Sequence, residues 1–364
     1  MAKKRWLAVA AAVGAVAWFA RDVPSALGRA PSGERAERVR RSPQYRDGKF
    51  QNTVPSVMMA PGTRQKVVRQ MFFGEPHAKR SPSGEIPLVT PTSSETGLGV
   101  VWYGHSSALV EADGRRVLFD PVWSDRCSPS QRVGPKRMHA VPVELEDLPR
   151  LDAVVISHDH YDHLDMPTVK ALLGLTRAPF VVPLGVGEHL ERWGVPLDRI
   201  VELDWDEDVT INGVTLTCTA ARHFSGRTLT RDGTLWASWV MAVGTRKVFY
   251  TGDSGYFPGY ARVGREHGPF DATLIQVGAY GDAWPDIHMT PEEGVATHLD
   301  VGGRVMIPLH WGTFNLALHD WSEPVERVWA EAKARGVTLV VPRPGERVDV
   351  DEPPALDPWW QPIA

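Results

Sequence analysis

Short β-rich runs alternate with helical patterns along the chain from about residue 98. The runs predict strands near 99–103, 107–111, 116–120, 153–157, 179–183, 199–203, 208–219, 235–243, 247–251, 272–276, 304–308 and 338–341. The spacing of apolar side chains predicts helices at 65–73, 166–174, 186–193, 291–300 and 323–335. Early meanders followed by later helices predict an α/β sandwich of two sheets with helices outside, in one domain.

The pattern of residues 1–22 differs from that of the rest. Basic residues 3–5 precede an apolar run at 6–20, an order typical of a signal peptide or a membrane anchor. Residues 23–48, rich in Arg, Pro, Ser and Gly, predict a basic linker, and residues 49–364 predict one folded domain. We expect an exported or anchored protein with a periplasmic or extracellular body, its leader cleaved or retained. A cytoplasmic, membrane-associated protein is the alternative.

Charge is unevenly distributed along the 364 residues, whose net charge is −4. Residues 1–50 carry 11 basic and 4 acidic side chains, so the remainder is strongly acidic. An acidic body argues against nucleic acid as a partner, whereas a basic leader suits a membrane surface. Cys127 and Cys218 are too few for a disulfide framework, and they are predicted to be small core or loop side chains, with a single bridge as the alternative.

The richest chemistry stands directly after the predicted strand at 153–157. The segment HDHYDH supplies His158, His160, Asp162 and His163 within six residues. In an extended chain His158 and His160 point to the same side. So many imidazoles and carboxylates close together require a cation that neutralises them, and the position after a core strand is where active-site groups of α/β folds lie.

Three further candidates stand at the ends of other predicted strands. His223 follows VTLTCTAAR, Asp253 follows KVFYTG, and His310 closes RVMIPLH. Each residue alone has a structural explanation, but their shared position at strand ends predicts that they join the His-rich segment. Gly252 and Gly255 allow the backbone beside Asp253 to approach other chain segments closely.

These motifs resemble those of a known superfamily. HDHYDH is similar to the HxHxDH signature of the metallo-β-lactamase superfamily, with His223, Asp253 and His310 at its later metal positions. The segments HSSALVEADGRRVLFDPVWSDRCSPSQRVGPKR at 105–137, KFQNT at 49–53, YTGDSGY at 250–256 and HMTPEEG at 288–294 resemble the branch of N-acylphosphatidylethanolamine-hydrolysing phospholipase D. The resemblance covers about residues 45–360 and implies an αββα sandwich.

The resemblance also implies a site with two zinc ions. His158, His160 and His223 would bind one ion, Asp162, His163 and His310 the other, and Asp253 would bridge both. The resemblance assigns catalytic roles to Asp162, Asp253 and His288, and it implies phospholipid hydrolysis by a metal-bridging hydroxide, with a homodimer as a possible assembly. Histidine and carboxylate ligands suit iron as well as zinc, so the residues alone do not decide the metal.

Several residues have more than one predicted role, and the site has more than one predicted reaction. His288 either orients phosphate or protonates the leaving group, or simply begins a helix. Asp120 and His105 either support the ligands or form turns, and Arg137 with its neighbour Lys136 either contacts phosphate or lies on the surface. The same metals could serve a lactonase or another ester hydrolase, or a non-catalytic membrane-tethered module. A long apolar groove beside the metals would favour a lipid, and a small polar pocket a lactone.

Overall fold

The computed structural model describes residues 23–63 and 79–364, together with Trp6, Arg21, Gln65, Val67 and Arg69. The predicted signal peptide or anchor therefore lies outside the described residues, apart from two of its members. Gln65, Val67 and Arg69 are helical, and the rest of the helix predicted at 65–73 lies outside the described residues. No helix in the described part of the chain is long and apolar enough to span a membrane.

Residues 23–48 are folded against the body, which corrects the prediction of a basic linker. The elements of this region are α1 (Val23–Ala26), α2 (Gly33–Arg41), β1 (Tyr45–Arg46) and β2 (Lys49–Phe50). The guanidinium of Arg35 contacts the carboxylates of Glu188, Glu191 and Glu202 at 2.5–2.8 Å. Basic side chains of this segment thus form ion pairs with the acidic body, and this pairing cannot be seen in local composition.

One sheet contains seven strands. In order across the sheet they are β16 (Arg347–Asp349), β3 (Leu98–Gly104), β4 (Ser107–Ala112), β5 (Arg115–Phe119), β6 (Ala153–Val155), β7 (Phe180–Pro183) and β8 (Ile200–Leu203). The strands from β16 to β5 pair antiparallel, and those from β5 to β8 pair parallel. All but β16 were predicted from the sequence, and Asp113 and Gly114 form the turn between β4 and β5.

The second sheet also has seven strands. Their order is β15 (Thr338–Leu339), β14 (Gly303–Leu309), β13 (Phe270–Gln276), β12 (Arg246–Tyr250), β11 (Ser238–Val243), β10 (Val214–Thr219) and β9 (Asp208–Ile211). β12 to β15 pair parallel and β9 to β12 antiparallel. The single strand predicted at 208–219 is two strands, because Asn212 and Gly213 form a tight turn with positive φ at both residues.

Five further helices of the described residues flank the sheets. They are α3 (Met166–Leu175), α4 (Gly187–Arg192), α5 (Gly259–His267), α6 (Pro291–Val301) and α7 (Glu323–Arg335). Four follow the predictions within two residues, and α5 has no predicted counterpart. Thr290 and Glu293 form a capping box at the start of α6.

The apolar side chains of the first sheet alternate between its two faces. Val100 and Val155 belong to a cluster that also contains Trp239 and Leu274 of the second sheet, so the two sheets pack face to face. Their neighbours Val101 and Val154 belong instead to a second cluster beneath α3 and α4. This is the predicted αββα arrangement. Both cysteines are buried and free, as predicted.

Candidate metal centre

The site lies where strands of both sheets end. The segment from His158 to His163 follows β6, and Asp253 and His310 follow the parallel strands β12 and β14. His223 comes after the carboxyl end of β10. Because the carboxyl ends of parallel strands meet at one edge of a sheet, the predicted residues converge there.

Two glycines permit this convergence. Gly252 has φ of +56°, and a Cβ there would lie 2.6 Å from the Cβ of Ser157, beside the His-rich loop. A Cβ on Gly278 would lie 2.0 Å from the carbonyl oxygen of His310. Neither position tolerates a side chain without displacing a ligand-bearing segment.

His158, His160 and His223 form one group of converging nitrogens. Nδ1 of His160 lies 2.9 Å from Nε2 of His158 and 3.2 Å from Nε2 of His223. Donors around a tetrahedral zinc ion with bonds of about 2.0–2.1 Å are separated by about 3.3 Å, so this spacing suits a shared cation.

Asp162, His163 and His310 form the second group. Nε2 of His310 lies 3.3 Å from Oδ2 of Asp162, and Nε2 of His163 lies 3.6 Å from the same oxygen. Asp253 lies between the groups: its Oδ2 is 3.1 Å from Nε2 of both His163 and His310, and 3.9 Å from Nε2 of His158. Asp253 is therefore within reach of both groups, and its role as a bridge stays a prediction.

Hydrogen bonds on the far side of three imidazoles direct their free nitrogens inward. Nδ1 of His163 donates to Asp120, and Nδ1 of His223 donates to the carbonyl of Ile287. The Ser157 hydroxyl donates to Asp120 and can accept from Nδ1 of His158 at 2.9 Å. In each ring Nε2 is left to act as a lone-pair donor, which is the usual arrangement of histidine metal ligands.

Buried polar atoms without hydrogen-bond partners among the described residues mark the same place. They include Nε2 of His163, both ring nitrogens of His310 and Oδ1 of Asp253. An unpaired buried polar atom is costly, and a bound cation would satisfy several of these atoms at once. The donor set therefore fits a pair of divalent metal ions.

The electrostatics of the site favour positive charge. Burial lowers the pKa of His310, but Asp253 and Asp162 outweigh burial and raise it to about 9. Burial likewise lowers the pKa of His163, yet Asp253 and its neighbouring carboxylates raise the net value well above the ordinary one. Burial holds the pKa of His158 well below its usual range, so this imidazole is neutral and available as a ligand.

Comparison with known proteins decides the family. A family model described as a beta-lactamase superfamily domain matches residues 115–311, more than half of the chain. The chain belongs to the β-lactamase superfamily. Together with its fold and its groups of metal-ligating side chains, this membership makes it a metal-dependent hydrolase.

Within the superfamily, this chain is similar to two relatives and to one solved structure. An uncharacterised protein of Mycobacterium tuberculosis is 50% identical over 98% of both chains. The N-acyl-phosphatidylethanolamine-hydrolyzing phospholipase D 1 of Caenorhabditis elegans is 38% identical over 63% of this chain and 67% of its own. Igni18, a metallo hydrolase of Ignicoccus hospitalis, has a TM-score of 0.52 at 22% identity, covering 69% of this chain and 97% of that one, which shows the metallo-β-lactamase fold.

An apolar cavity of about 390 Å³ opens onto the metal-ligating groups of this hydrolase. Its lining includes Met58, Phe224, Trp284, Ile287 and Leu316 beside the ligand side chains. These five residues come from four loops, with Trp284 and Ile287 sharing one, and they pack in one apolar cluster. Sequence analysis did not find them, because no motif marks loop residues that become neighbours only in the fold.

His288 also lines this cavity, and its Nδ1 lies 3.9 Å from Oδ2 of Asp253. Burial lowers its pKa to about 4. The ring is therefore neutral near pH 7 and can donate a hydrogen bond, but it carries no spare proton for a leaving group. The structure thus brings His288 to the site and also places it two residues before the cap of α6.

The alternatives for the supporting residues are decided by contacts. Nε2 of His105 donates to Oδ2 of Asp162 at 2.9 Å, so His105 belongs to the centre. Asp120 supports a ligand, as its bond from His163 shows. Arg137 does not lie on the surface: it is buried and donates to the carbonyls of Val122 and Tyr103.

Proposed function

We propose that this hydrolase is a dinuclear zinc phosphodiesterase that cleaves phospholipids of the N-acylphosphatidylethanolamine type, as phospholipase D does. The observation that carries the proposal is the apolar cavity beside the two ligand groups. An acyl chain would lie against Phe224, Trp284 and Leu316, and its burial there is favourable. The similarity to a Caenorhabditis elegans enzyme whose name states this activity supports the same reaction.

Seven side chains would bind the two metal ions at the proposed site. His158, His160 and His223 would hold one ion, Asp162, His163 and His310 the other, and Asp253 both. When bound, two zinc ions supply a hydroxide nucleophile at neutral pH and offset negative charge on a phosphodiester.

His105 holds the orientation of Asp162 through its hydrogen bond. The neutral ring of His288, on the cavity side of Asp253, would donate a hydrogen bond to a phosphate oxygen and orient the diester.

The shape and chemistry of the cavity favour a lipid over a small lactone. The lining side chains away from the ligands are mostly apolar, whereas a lactone site of this fold would need a small pocket with polar groups around the ring. The direct opening of the cavity onto the ligands also argues against a non-catalytic module, which would have a closed metal site.

The membrane supplies such a substrate, and we propose that the protein works at a membrane surface. The basic cluster at residues 3–5 supports this location, because anionic lipid surfaces attract clustered Lys and Arg. Fractionation of the native host cells, with and without a high-salt wash, tests it. Protein that stays in the soluble fraction at low salt would contradict the proposal.

Metal analysis and matched assays test the reaction. We expect about two zinc ions per purified chain, hydrolysis of an N-acylphosphatidylethanolamine to a phosphatidic acid, and loss of both zinc binding and activity in His160→Ala. His267→Ala, which changes a histidine at the end of α5, serves as the control and keeps both. A zinc-loaded protein that opens lactones but cleaves no phosphodiester would contradict the lipid function, and full activity in His160→Ala would contradict the metal mechanism.

A further inference from the structure

Arg227 lies where the N-terminal segment meets the loop that carries the metal ligands. It is 5% exposed, and its guanidinium donates to three carbonyl oxygens. Nε donates to Ala26 at 2.8 Å, and one terminal nitrogen donates at 2.7 Å to both Asp159 and Leu164. Asp159 and Leu164 stand just inside and just outside the segment from His158 to His163, so one side chain grips this loop near both ends.

Aromatic rings hold this guanidinium in place. Its carbon lies 4.1 Å from the ring centre of Tyr161 and 5.0 Å from that of Trp193. Tyr161 is itself part of the metal loop, and its hydroxyl donates to the carbonyl of Arg227. Trp193 donates to the carbonyl of Ser25, next to Ala26. Tyr161 therefore packs on Arg227 from the loop, and Trp193 packs on it beside the N-terminal segment.

A second set of contacts joins the two segments independently of Arg227. The backbone N–H of Arg29 donates to Nδ1 of His189, so Nε2 of His189 can donate to the Asp159 carboxylate, at 3.2 Å. Gly28 makes this approach possible: a Cβ there would lie 2.0 Å from Nδ1 of His189. These contacts run without a break from the N-terminal segment to the metal loop, and His189 and Asp159 are both buried.

We propose that Arg227 is a positioning residue that couples segment 23–31 to the metal-binding loop, and that this segment is an integral part of the metal centre. A loop that carries three candidate ligand histidines and one aspartate must hold its backbone in a fixed conformation, and Arg227 donates hydrogen bonds to two of its carbonyl oxygens, those of Asp159 and Leu164. The proposal depends on the metal site and not on the identity of the substrate, so it survives if the hydrolysed bond proves different.

Matched arginine variants of the full chain test the positioning role. Arg199, also buried, donates to the carbonyl of Ala178 and lies over Phe180, at the opposite end of β7 from the metal loop. We expect Arg227→Met to raise the Kd for zinc about 10- to 100-fold in chelator competition, whereas Arg199→Met leaves it unchanged. Arg227→Lys should recover part of the affinity. Wild-type zinc affinity in Arg227→Met, or an equal loss in both variants, would overturn the proposal.

Two glycines provide a second test that leaves every donor in place. Gly28 and Gly33 both have positive φ, at 70° and 54°, but an added Cβ meets His189 only at position 28. Gly28→Ala should therefore weaken zinc binding. Gly33→Ala should strain the backbone in the same way but leave the zinc affinity unchanged. Equal zinc affinity in the two variants would count against the coupling.

The mature N-terminus gives the third test. Cleavage after Gly28 or Ala30 would remove the Ala26 carbonyl and release Arg227 from the N-terminal segment. We expect the intact mass of protein purified from its native host to include residues 23–31. A native chain that begins at Arg29 or Pro31 and binds zinc with full affinity would refute the proposal.

Discussion

Nδ1 of His163 donates a 2.6 Å hydrogen bond to Oδ2 of Asp120, and both side chains are completely buried. Asp120 also accepts from the Ser157 backbone and the Tyr250 hydroxyl, so its carboxylate is fixed on all sides. We expect Asp120→Ala to raise the Kd for zinc about 10- to 100-fold, because His163 loses its orientation. Equilibrium dialysis with zinc measures the change.

Asp152→Ala is the matched control for that substitution. Asp152 directly precedes β6, at the opposite end of that strand from the metal groups; it is also buried, and it accepts a hydrogen bond from the backbone N–H of Arg116 in β5. Asp152→Ala should lower the free energy of unfolding and leave zinc affinity unchanged. An unaltered zinc affinity in Asp120→Ala would show that the 2.6 Å bond does not orient the ligand.

Removal of metal should destabilise the fold. The buried carboxylates of Asp162 and Asp253 and the surrounding imidazoles would lose their shared counter-charge. A ligand present at 1,000 times its Kd stabilises a protein by about 4 kcal/mol, so excess chelator should lower Tm by several degrees. Differential scanning calorimetry with and without zinc tests this, and His160→Ala should show a smaller difference. Identical Tm values would mean that the site holds no metal in solution.

The apolar cavity predicts sensitivity to acyl-chain length. Leu316→Gln places an amide on its wall, and losing the burial of one leucine is worth about 1.5–3 kcal/mol. We expect KM for a long-chain phospholipid to rise about tenfold, while kcat/KM for a small soluble phosphodiester stays as in wild type. Equal effects on both substrates would show that Leu316 acts on the metal site and not on the lipid.

Arg231 is the only Lys or Arg among the described residues that line this cavity, and its guanidinium lies 5.1 Å from the ring centre of Phe224. No carboxylate of the described residues is within 4 Å of it. A hydrogen bond to a charged group contributes about 1.5–3 kcal/mol, so Arg231→Ala should raise KM for an anionic phospholipid about tenfold. Arg231→Lys should recover part of this. A KM that is independent of substrate charge would exclude the role.

The attachment of the N-terminal segment should depend on pH. Burial raises the pKa of Glu188, but hydrogen bonds from Arg35, Ser32 and Arg29 outweigh it and hold the pKa below its ordinary value of 4.5. The carboxylate therefore stabilises the fold above about pH 4.5, and this stabilisation is lost as the pH falls toward the lower, folded-state pKa. Glu188→Gln should lower the free energy of unfolding by about 3 kcal/mol at pH 7 and by progressively less at lower pH.

Denaturant titrations of wild type and variant at several pH values measure that difference. Glu191→Gln is the control, because Glu191 also contacts Arg35 but is 37% exposed, and an exposed pair contributes at most about 1 kcal/mol. If Glu188→Gln lowered the free energy of unfolding equally at every pH, the ionised Glu188 carboxylate would not be the source of the stabilisation.

The sequence predicted the parts of the site that lie next to a strand. His158, Asp253 and His310 could be found because apolar runs predict where the strands end. Segment 23–48 was misjudged because its arginines are paired with Glu188, Glu191 and Glu202, which lie far away in sequence. The role of His105 stayed open for a related reason: only the fold brings it to Asp162, and a single histidine after a glycine has no pattern of its own.

The two ligand groups draw on both sheets. His163 comes from the loop after β6 in one sheet, and His310 from the end of β14 in the other, with Asp253 beside them. A cation bound by His163 and His310 would join chain segments about 150 residues apart, as a covalent cross-link does, and would restrict the unfolded chain accordingly. Metal binding would therefore hold the two halves of the sandwich together. Neither half contains all the ligands, so neither could form a complete site alone.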